Sequence, residues 1–110
     1  MATQEASGTQ TATVSTEHTL ATITTAKVFQ AKVDISALAA GEYVELRIKQ
    51  KVLSGGTSRV DGGARIYSWL DAAVSPIAVL EPKIAGIEYV LTLKQQNGTG
   101  RGFPWAVETP

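Results

Sequence analysis

Residues 43–52 read Tyr-Val-Glu-Leu-Arg-Ile-Lys-Gln-Lys-Val, and in this stretch apolar and charged side chains alternate. Val44, Leu46 and Ile48 are separated by single charged residues. Successive side chains of a β-strand point to opposite faces, so this period of two predicts a strand with one buried and one solvated face. It is the clearest strand in the chain, and it favours a β-sheet fold over a helical one.

The same period of two continues on both sides of this strand. Hairpin turns are indicated by Ser-Gly-Gly-Thr at 54–57 and by Asn-Gly-Thr-Gly at 97–100. Pro76 and Pro82 mark residues 74–82 as a loop or an irregular edge segment, since proline cannot donate a ladder hydrogen bond. Further strands are predicted over residues 18–24, 29–35, 59–72, 87–93 and 102–107.

Together these signals predict the fold class. About seven strands with regularly spaced turns, and no long amphipathic helix, are typical of an all-β antiparallel β-sandwich of jelly-roll-like type. The pair Gly62 and Gly63 indicates a bulge or bend in the returning strand. Pro104 suggests that the last strand lies at a sheet edge.

The chain has 110 residues, which fits a single domain. Residues 17–110 carry the strand pattern and are predicted to form the sandwich. Residues 1–16 are rich in Ala, Thr, Ser and Gln, so they are expected to form an extended N-terminal arm that buries too little apolar area to offset its ordering entropy. Two placements of the arm stay open: against a neighbouring subunit, or as an edge strand of its own domain.

The composition narrows the function classes. The net charge of +0 argues against nucleic acid as a partner, because phosphate binding requires a basic excess. The absence of cysteine excludes disulfides and thiolate metal sites. Residues 1–16 lack the apolar segment of a signal peptide, and no stretch reaches the roughly 18 apolar residues of a membrane span. We expect a soluble protein, made in the host cytoplasm, with no membrane partner.

A search for a catalytic constellation finds none. His18 is the only histidine, and its threonine-rich segment lacks the Gly-x-Ser-x-Gly motif of a serine nucleophile. A zinc site needs further His or Cys ligands that the sequence does not have. Asp61 and Asp71 lie about ten residues apart on one predicted strand, too far for a glycosidase pair. We therefore expect no enzyme, no cofactor, and no catalytic, cofactor-binding or metal-binding residue.

Three aromatic residues leave a carbohydrate-binding β-sandwich module open. Tyr67 and Trp69 are predicted on the same strand face as Arg65, and Trp105 lies on the last strand. An exposed aromatic strip on a sheet can stack on sugar rings or contact another subunit. The alternative is that these side chains pack in the core, and the sugar-binding hypothesis fails if they are buried.

Two hairpin regions carry a resemblance to a known family. Residues 41–48 read Gly-Glu-Tyr-Val-Glu-Leu-Arg-Ile, and residues 51–59 read Lys-Val-Leu-Ser-Gly-Gly-Thr-Ser-Arg. Residues 93–105 add Leu-Lys-Gln-Gln-Asn-Gly-Thr-Gly-Arg-Gly-Phe-Pro-Trp. These motifs resemble a family of small virion structural proteins of tailed bacteriophages, and the resemblance covers about residues 34–105.

The resemblance implies a bacteriophage structural protein, and in the first place a capsid decoration (cement) protein. Such a protein binds the assembled major capsid protein on the exterior of the virion, and by analogy the chain would be a homotrimer. A head–tail connector or a spike-base protein is the alternative virion role.

Six residues are expected to contact the partner. Arg59 and Arg101 lie next to hairpin turns, where exposed guanidinium groups donate well to carboxylates, with ordinary solvation as the alternative. The other four belong to the arm, which a decoration protein would lay along the shell. They are Gln4, Glu5, Gln10 and Thr13.

Overall fold

The computed structural model describes residues 3–110. Over these residues the chain forms two antiparallel sheets packed together, so the predicted all-β sandwich is confirmed. One short helix interrupts the strands. The elements are β1 (Thr3–Thr11), β2 (Glu17–Ile23), β3 (Lys27–Asp34), β4 (Tyr43–Gln50), β5 (Arg59–Val60), β6 (Arg65–Ser68), α1 (Trp69–Val74), β7 (Ile77–Val79), β8 (Lys83–Ala85), β9 (Tyr89–Gln95) and β10 (Gly102–Thr109).

The two sheets are named A and B. Sheet A has the strand order β1-β10-β3-β7, and β8 also pairs with β3. Sheet B has the order β2-β9-β4-β5, and β6 also pairs with β4. The inner faces bury Phe29, Leu46, Leu91 and Phe103 completely. Removing a side chain of this size from water contributes roughly 2 kcal/mol to stability.

The stretch that predicted the fold forms β4. Val44, Leu46 and Ile48 are fully buried, which confirms the predicted alternation. Glu45 points to the opposite face but is also buried, because Gln96 donates to its Oε2 at 2.9 Å and Arg47 forms an ion pair with its Oε1. The outer side of this strand is therefore covered by long polar side chains rather than open to solvent.

The N-terminal segment takes the second of the two open placements. Residues 3–11 form β1, which pairs antiparallel with β10 of the same chain, so they belong to the sandwich and do not form an arm beside it. The sequence argument considered apolar side chains, whereas β1 is held mainly by backbone hydrogen bonds that do not depend on side-chain polarity. Residues 1 and 2 of the predicted arm lie outside the described residues.

The strand predicted over residues 59–72 is interrupted twice. Gly62 and Gly63 both have a φ of 80°, so the predicted bend is confirmed and separates β5 from β6. After Ser68 the chain becomes helical, because Ser68 and Asp71 form a capping box that begins α1. The predicted common strand face of Arg65, Tyr67 and Trp69 is therefore wrong beyond Ser68.

The prediction that the last strand lies at a sheet edge is also wrong. β10 is an inner strand of sheet A, between β1 and β3. Its pairing with β3 begins at Trp105, so Pro104 lies just beyond the end of that ladder and its missing N–H removes no bond there.

Among residues 3–110, no helix has the length and apolar character required to cross a membrane.

Candidate protein-binding surface

The outer face of sheet A, here called the A face, carries apolar side chains in contact with solvent. One register row across β1, β10, β3 and β7 consists of Ser7, Ala106, Lys32 and Val79. Val79 is 47% exposed and Ile84 is 79% exposed. The apolar residues of the A face are Val28, Ile77, Val79, Ile84, Pro104 and Ala106.

These apolar residues form two neighbouring groups. Val28 and Ile84 are direct cross-strand partners at one end of the sheet. Toward the other end, Ile77, Val79 and Pro104 line an open, shallow depression. An exposed apolar surface of this kind on a small domain is typical of a protein-binding site.

The charged groups of the A face are already paired within the chain. Lys32 Nζ lies 2.6 Å from a carboxylate oxygen of Glu108, and the amide of Ser36 donates to Asp34 at 2.9 Å. Hydrogen bonds from the side chain and then the amide of Ser36 hold the pKa of Asp34 below its usual value. A partner that covers these groups therefore meets a smaller desolvation cost than an unpaired charge would impose.

The outer face of sheet B, here called the B face, carries more charged side chains, although Val60 and Ile66 toward its edge are 41% and 60% exposed. Glu17 lies 3.3 Å from Lys49 and 3.8 Å from Arg47, which in turn pairs with Glu45. The hydroxyl of Thr92 donates to Glu17 at 2.6 Å, and this bond is the main reason that the pKa of Glu17 is lowered. These charged groups are partly exposed, and removing them from water is costly, so the centre of the B face is less favourable for burial than the A face.

The four predicted contacts in the N-terminal segment have different surroundings. Gln4 is exposed and lines the depression on the A face. Glu5 forms an ion pair with Lys27 at 2.9 Å. Gln10 is half-buried and reaches the ring of His18, and the amide of Thr13 donates to the other ring nitrogen at 2.9 Å. Of the four, Gln4 is the residue that the fold places in the candidate surface.

The two predicted arginines also differ. Arg59 is exposed on β5, at the edge of sheet B and away from the A face. Arg101 is committed inside the chain, since its Nε and one terminal nitrogen donate to the two carboxylate oxygens of Glu42, each at 2.9 Å. This bidentate geometry makes Arg101 part of the structure of two turns and not a free donor for a partner.

Glu42 is the centre of the most complete polar cluster in the described chain. It is 5% exposed, and besides Arg101 it accepts hydrogen bonds from the amides of Ala39 and Thr99 at 2.8 and 3.0 Å. The hydrogen bond from Arg101 is the largest cause that lowers the pKa of Glu42 to about 2. Gln95 completes the turn by accepting from the Arg101 amide at 2.9 Å.

Sequence reasoning missed Glu42 as a structural residue. The signal was present, because Gly41-Glu42 and Gly100-Arg101 place opposite charges beside glycine-containing turns in two of the motifs quoted above. Nothing local, however, indicates that turns 59 residues apart in sequence meet in space. The A face was missed for a similar reason, since it is assembled from four strands that are scattered along the chain.

The aromatic residues do not form an exposed strip. Tyr67, Trp69 and Trp105 are each half-buried and pack against the hydrophobic core. Tyr67 belongs to sheet B and Trp105 to sheet A, where its ring lies against Gly8. This arrangement favours the packing alternative over a platform for sugar rings.

The residues considered for catalysis also have local structural partners. His18 binds Gln10 and Thr13, and Asp71 caps α1 through Ser68. Asp61 accepts from Gln50 at 2.6 Å and lies 3.2 Å from Lys83. Within the described part of the chain, no three His, Asp or Glu side chains could together hold a metal ion.

Further exposed apolar side chains lie away from the A face, among them Leu70 and Val74 on α1, which are 61% and 88% exposed. Val52 and Leu53 are 91% and 72% exposed in the loop that joins β4 to β5. They form a small tip rather than a surface that spans several strands.

Comparison of the chain with family models, with curated proteins and with solved structures gave no match.

Proposed function

We propose that this chain is a capsid decoration protein of a tailed bacteriophage, which binds assembled major capsid subunits on the exterior of the head. The resemblance of the hairpin motifs at 41–48, 51–59 and 93–105 suggests the virion. The observation that carries the proposal is the difference between the two outer faces of the sandwich. The A face carries exposed apolar side chains across four strands and has its charges paired, whereas the B face has a ladder of charged groups at its centre and apolar Val60 and Ile66 toward one edge.

From this difference we infer one orientation of the bound protein. Burying the A face gains the hydrophobic contribution of side chains such as Val79 and Ile84, at roughly 25 cal/mol per Å². Burying the B face would instead remove Glu17, Arg47 and Lys49 from water. We therefore place the A face against the capsid and the B face toward solvent.

The mechanism follows from mass action. A protein that binds only the assembled shell stabilises it by RT ln(1 + [L]/Kd), about 2.7 kcal/mol when the free concentration is 100 times Kd. If several copies are joined, the sites act together and the apparent affinity rises. No chemical step is required of any residue.

The test uses heads that lack this protein, assembled from the major capsid protein encoded with it. Purified protein is mixed with the heads, and the bound fraction is measured after sedimentation. Val79→Lys places an unpaired charge on the A face next to Lys32 in the register row, so binding should weaken by roughly tenfold or more. Thr22→Lys is the matched control, because Thr22 is exposed on the B face.

Two outcomes would overturn the proposal. If the wild-type protein stays in the supernatant, it has no affinity for the shell. If the two lysine variants bind equally well, the A face is not the surface that contacts the capsid. The copy number in purified virions separates the virion roles. Hundreds of copies indicate decoration, whereas roughly a dozen or fewer indicate the ring of a connector or a spike base.

A further inference from the structure

The outer edges of the two sheets are protected to very different degrees. β7 and β8 are three residues long, and each directly follows a proline. β5 and β6 have two and four residues and are separated by the glycine bend. In β2 the pairing shifts register in the middle of the strand, between Thr19 and Ala21. Short length, proline and bulges are the devices by which proteins prevent a sheet edge from pairing with another chain.

β1 has the least protection of these edges. It is nine residues long, contains no proline and pairs with β10 alone among the described strands. Its register shift lies near its beginning, between Gln4 and Ala6, and the pairing is regular from Ala6 to Thr11. Its only charged residue, Glu5, is paired with Lys27. An edge of this length and regularity is a template for a further strand.

The direction of the free backbone groups can be assigned. Ala12 directly follows β1, and its N–H donates to the carbonyl of Arg101 at 2.8 Å, on the β10 side. Because N–H groups alternate between the two sides of a strand, those of Ser7, Thr9 and Thr11 point away from β10. Thr9 lies opposite Pro104, which has no N–H to donate across that pair. This pairing is consistent with a Thr9 N–H that points away from β10.

We propose that β1 pairs antiparallel with β1 of a second copy of this chain, centred near Gly8. In that register Glu5 lies opposite Thr11 of the second copy, so no like charges are opposed. The chain has a net charge of +0, so there is also no overall repulsion between copies. A two-fold axis between the two β1 strands uses the same groups on both copies, which is the usual geometry of a homodimer.

The pairing joins two sheets A into one continuous sheet. The two A faces then lie on the same side, side by side, and two weak contacts with one surface act as a single stronger one. This consequence rests on the proposed function, whereas the pairing of β1 with a second copy does not. The capsid-binding test and the self-association test can therefore fail separately.

The test measures the mass of the purified full chain by sedimentation equilibrium at concentrations up to about 1 mM. The wild type should reach twice the chain mass in a concentration-dependent manner. Thr9→Pro removes an outward N–H without removing a bond to β10, so it should remain a monomer. Thr9→Val keeps the N–H and is the matched control, which should still dimerise.

A second variant guards against misfolding of the proline variant. Ser7→Lys puts two like charges near the two-fold axis and should shift the dimer toward monomer, and salt should partly restore it. Thr22→Lys, on the B face, should leave the mass unchanged. A wild type that stays monomeric throughout, a trimeric mass, or a dimer that persists in both Thr9→Pro and Ser7→Lys would each overturn the proposal.

Discussion

Glu42 shows how one side chain can join turns that are distant in sequence. Its carboxylate binds amides from the segment before β4 and from the turn before β10, and Arg101 closes the cluster. Removing the charge leaves these donors with a weaker acceptor in a site where Glu42 itself is almost completely buried. A buried donor that loses its acceptor lowers the free energy of unfolding more than an exposed donor, because the exposed donor can bind water instead.

Glu42→Gln should therefore destabilise the protein by roughly 2 kcal/mol at neutral pH, measured by urea unfolding. The pKa of Glu42 falls from 4.5 to about 2 on folding, so the charge contributes stability above pH 4.5 and this contribution is lost as the pH falls toward 2. The difference between the wild type and Glu42→Gln should shrink over the same interval. A difference that is constant from pH 7 to pH 2 would contradict the role of the charge.

Glu5→Gln is the control for this prediction. Glu5 forms an ion pair with Lys27 at a similar distance, but both side chains are partly exposed. An exposed pair contributes little, typically below about 1 kcal/mol. A loss as large as that of Glu42→Gln would show that burial is not what distinguishes the two carboxylates.

At the scale of elements, strands with a strict period of two were predictable, and interrupted ones were not. β4 appears where Val44, Leu46 and Ile48 predicted it, because the core selects one face of the strand. The segment after Tyr67 was predicted to continue a strand, yet Ser68 and Asp71 cap a helix there. A capping pair three residues apart was a readable signal that the periodicity argument passed over.

The connection between β1 and β2 depends on one glycine. A Cβ atom on Gly100 would lie 2.2 Å from the backbone carbonyl oxygen of Ala12, the residue that directly follows β1. Because a backbone atom cannot move as freely as a side-chain end, Gly100→Ala should separate the two turns and cost roughly 1–3 kcal/mol, measured by thermal unfolding. Hydrogen exchange of the Ala12 amide should increase as its bond to Arg101 weakens.

Gly86→Ala is the matched control for this change. Gly86 has no positive φ, and a Cβ there meets no atom within 4 Å. This substitution should be close to neutral, since alanine also reduces the entropy of the unfolded chain. Equal stability of the two alanine variants would mean that the turn before β10 adapts and does not hold β1 in place.

At the scale of the whole molecule, the sequence predicted that there are two sheets but not what their outer faces carry. The A face combines β7 and β8 with the first and last strands of the chain, so its apolar residues have no common pattern along the sequence. Ile77 and Val79 alternate with Ala78, yet the prolines around them indicated only a loop or edge. Such a surface emerges only when the strand order is known, and strand order is decided by long-range pairing.

The contribution of the polar strand β1 to stability also depends on the whole molecule. Removing residues 1–11 exposes the backbone groups of β10 that face β1 and uncovers the ring of Trp105 beside Gly8. None of the large, fully buried core residues lies in β1, so the truncated chain should still fold but lose roughly 2–4 kcal/mol in urea unfolding. A peptide of residues 1–11 added in excess should then restore stability by rebuilding the ladder.

Two proline-containing peptides make this prediction specific. By the alternation of N–H groups, a Gly8→Pro peptide loses a donor that faces β10 and should fail to restore the truncated chain. A Thr9→Pro peptide loses a donor that faces outward and should still restore it. If both peptides behave alike, the assigned direction of the free edge is incorrect, and the proposed pairing of β1 between two copies loses its structural basis.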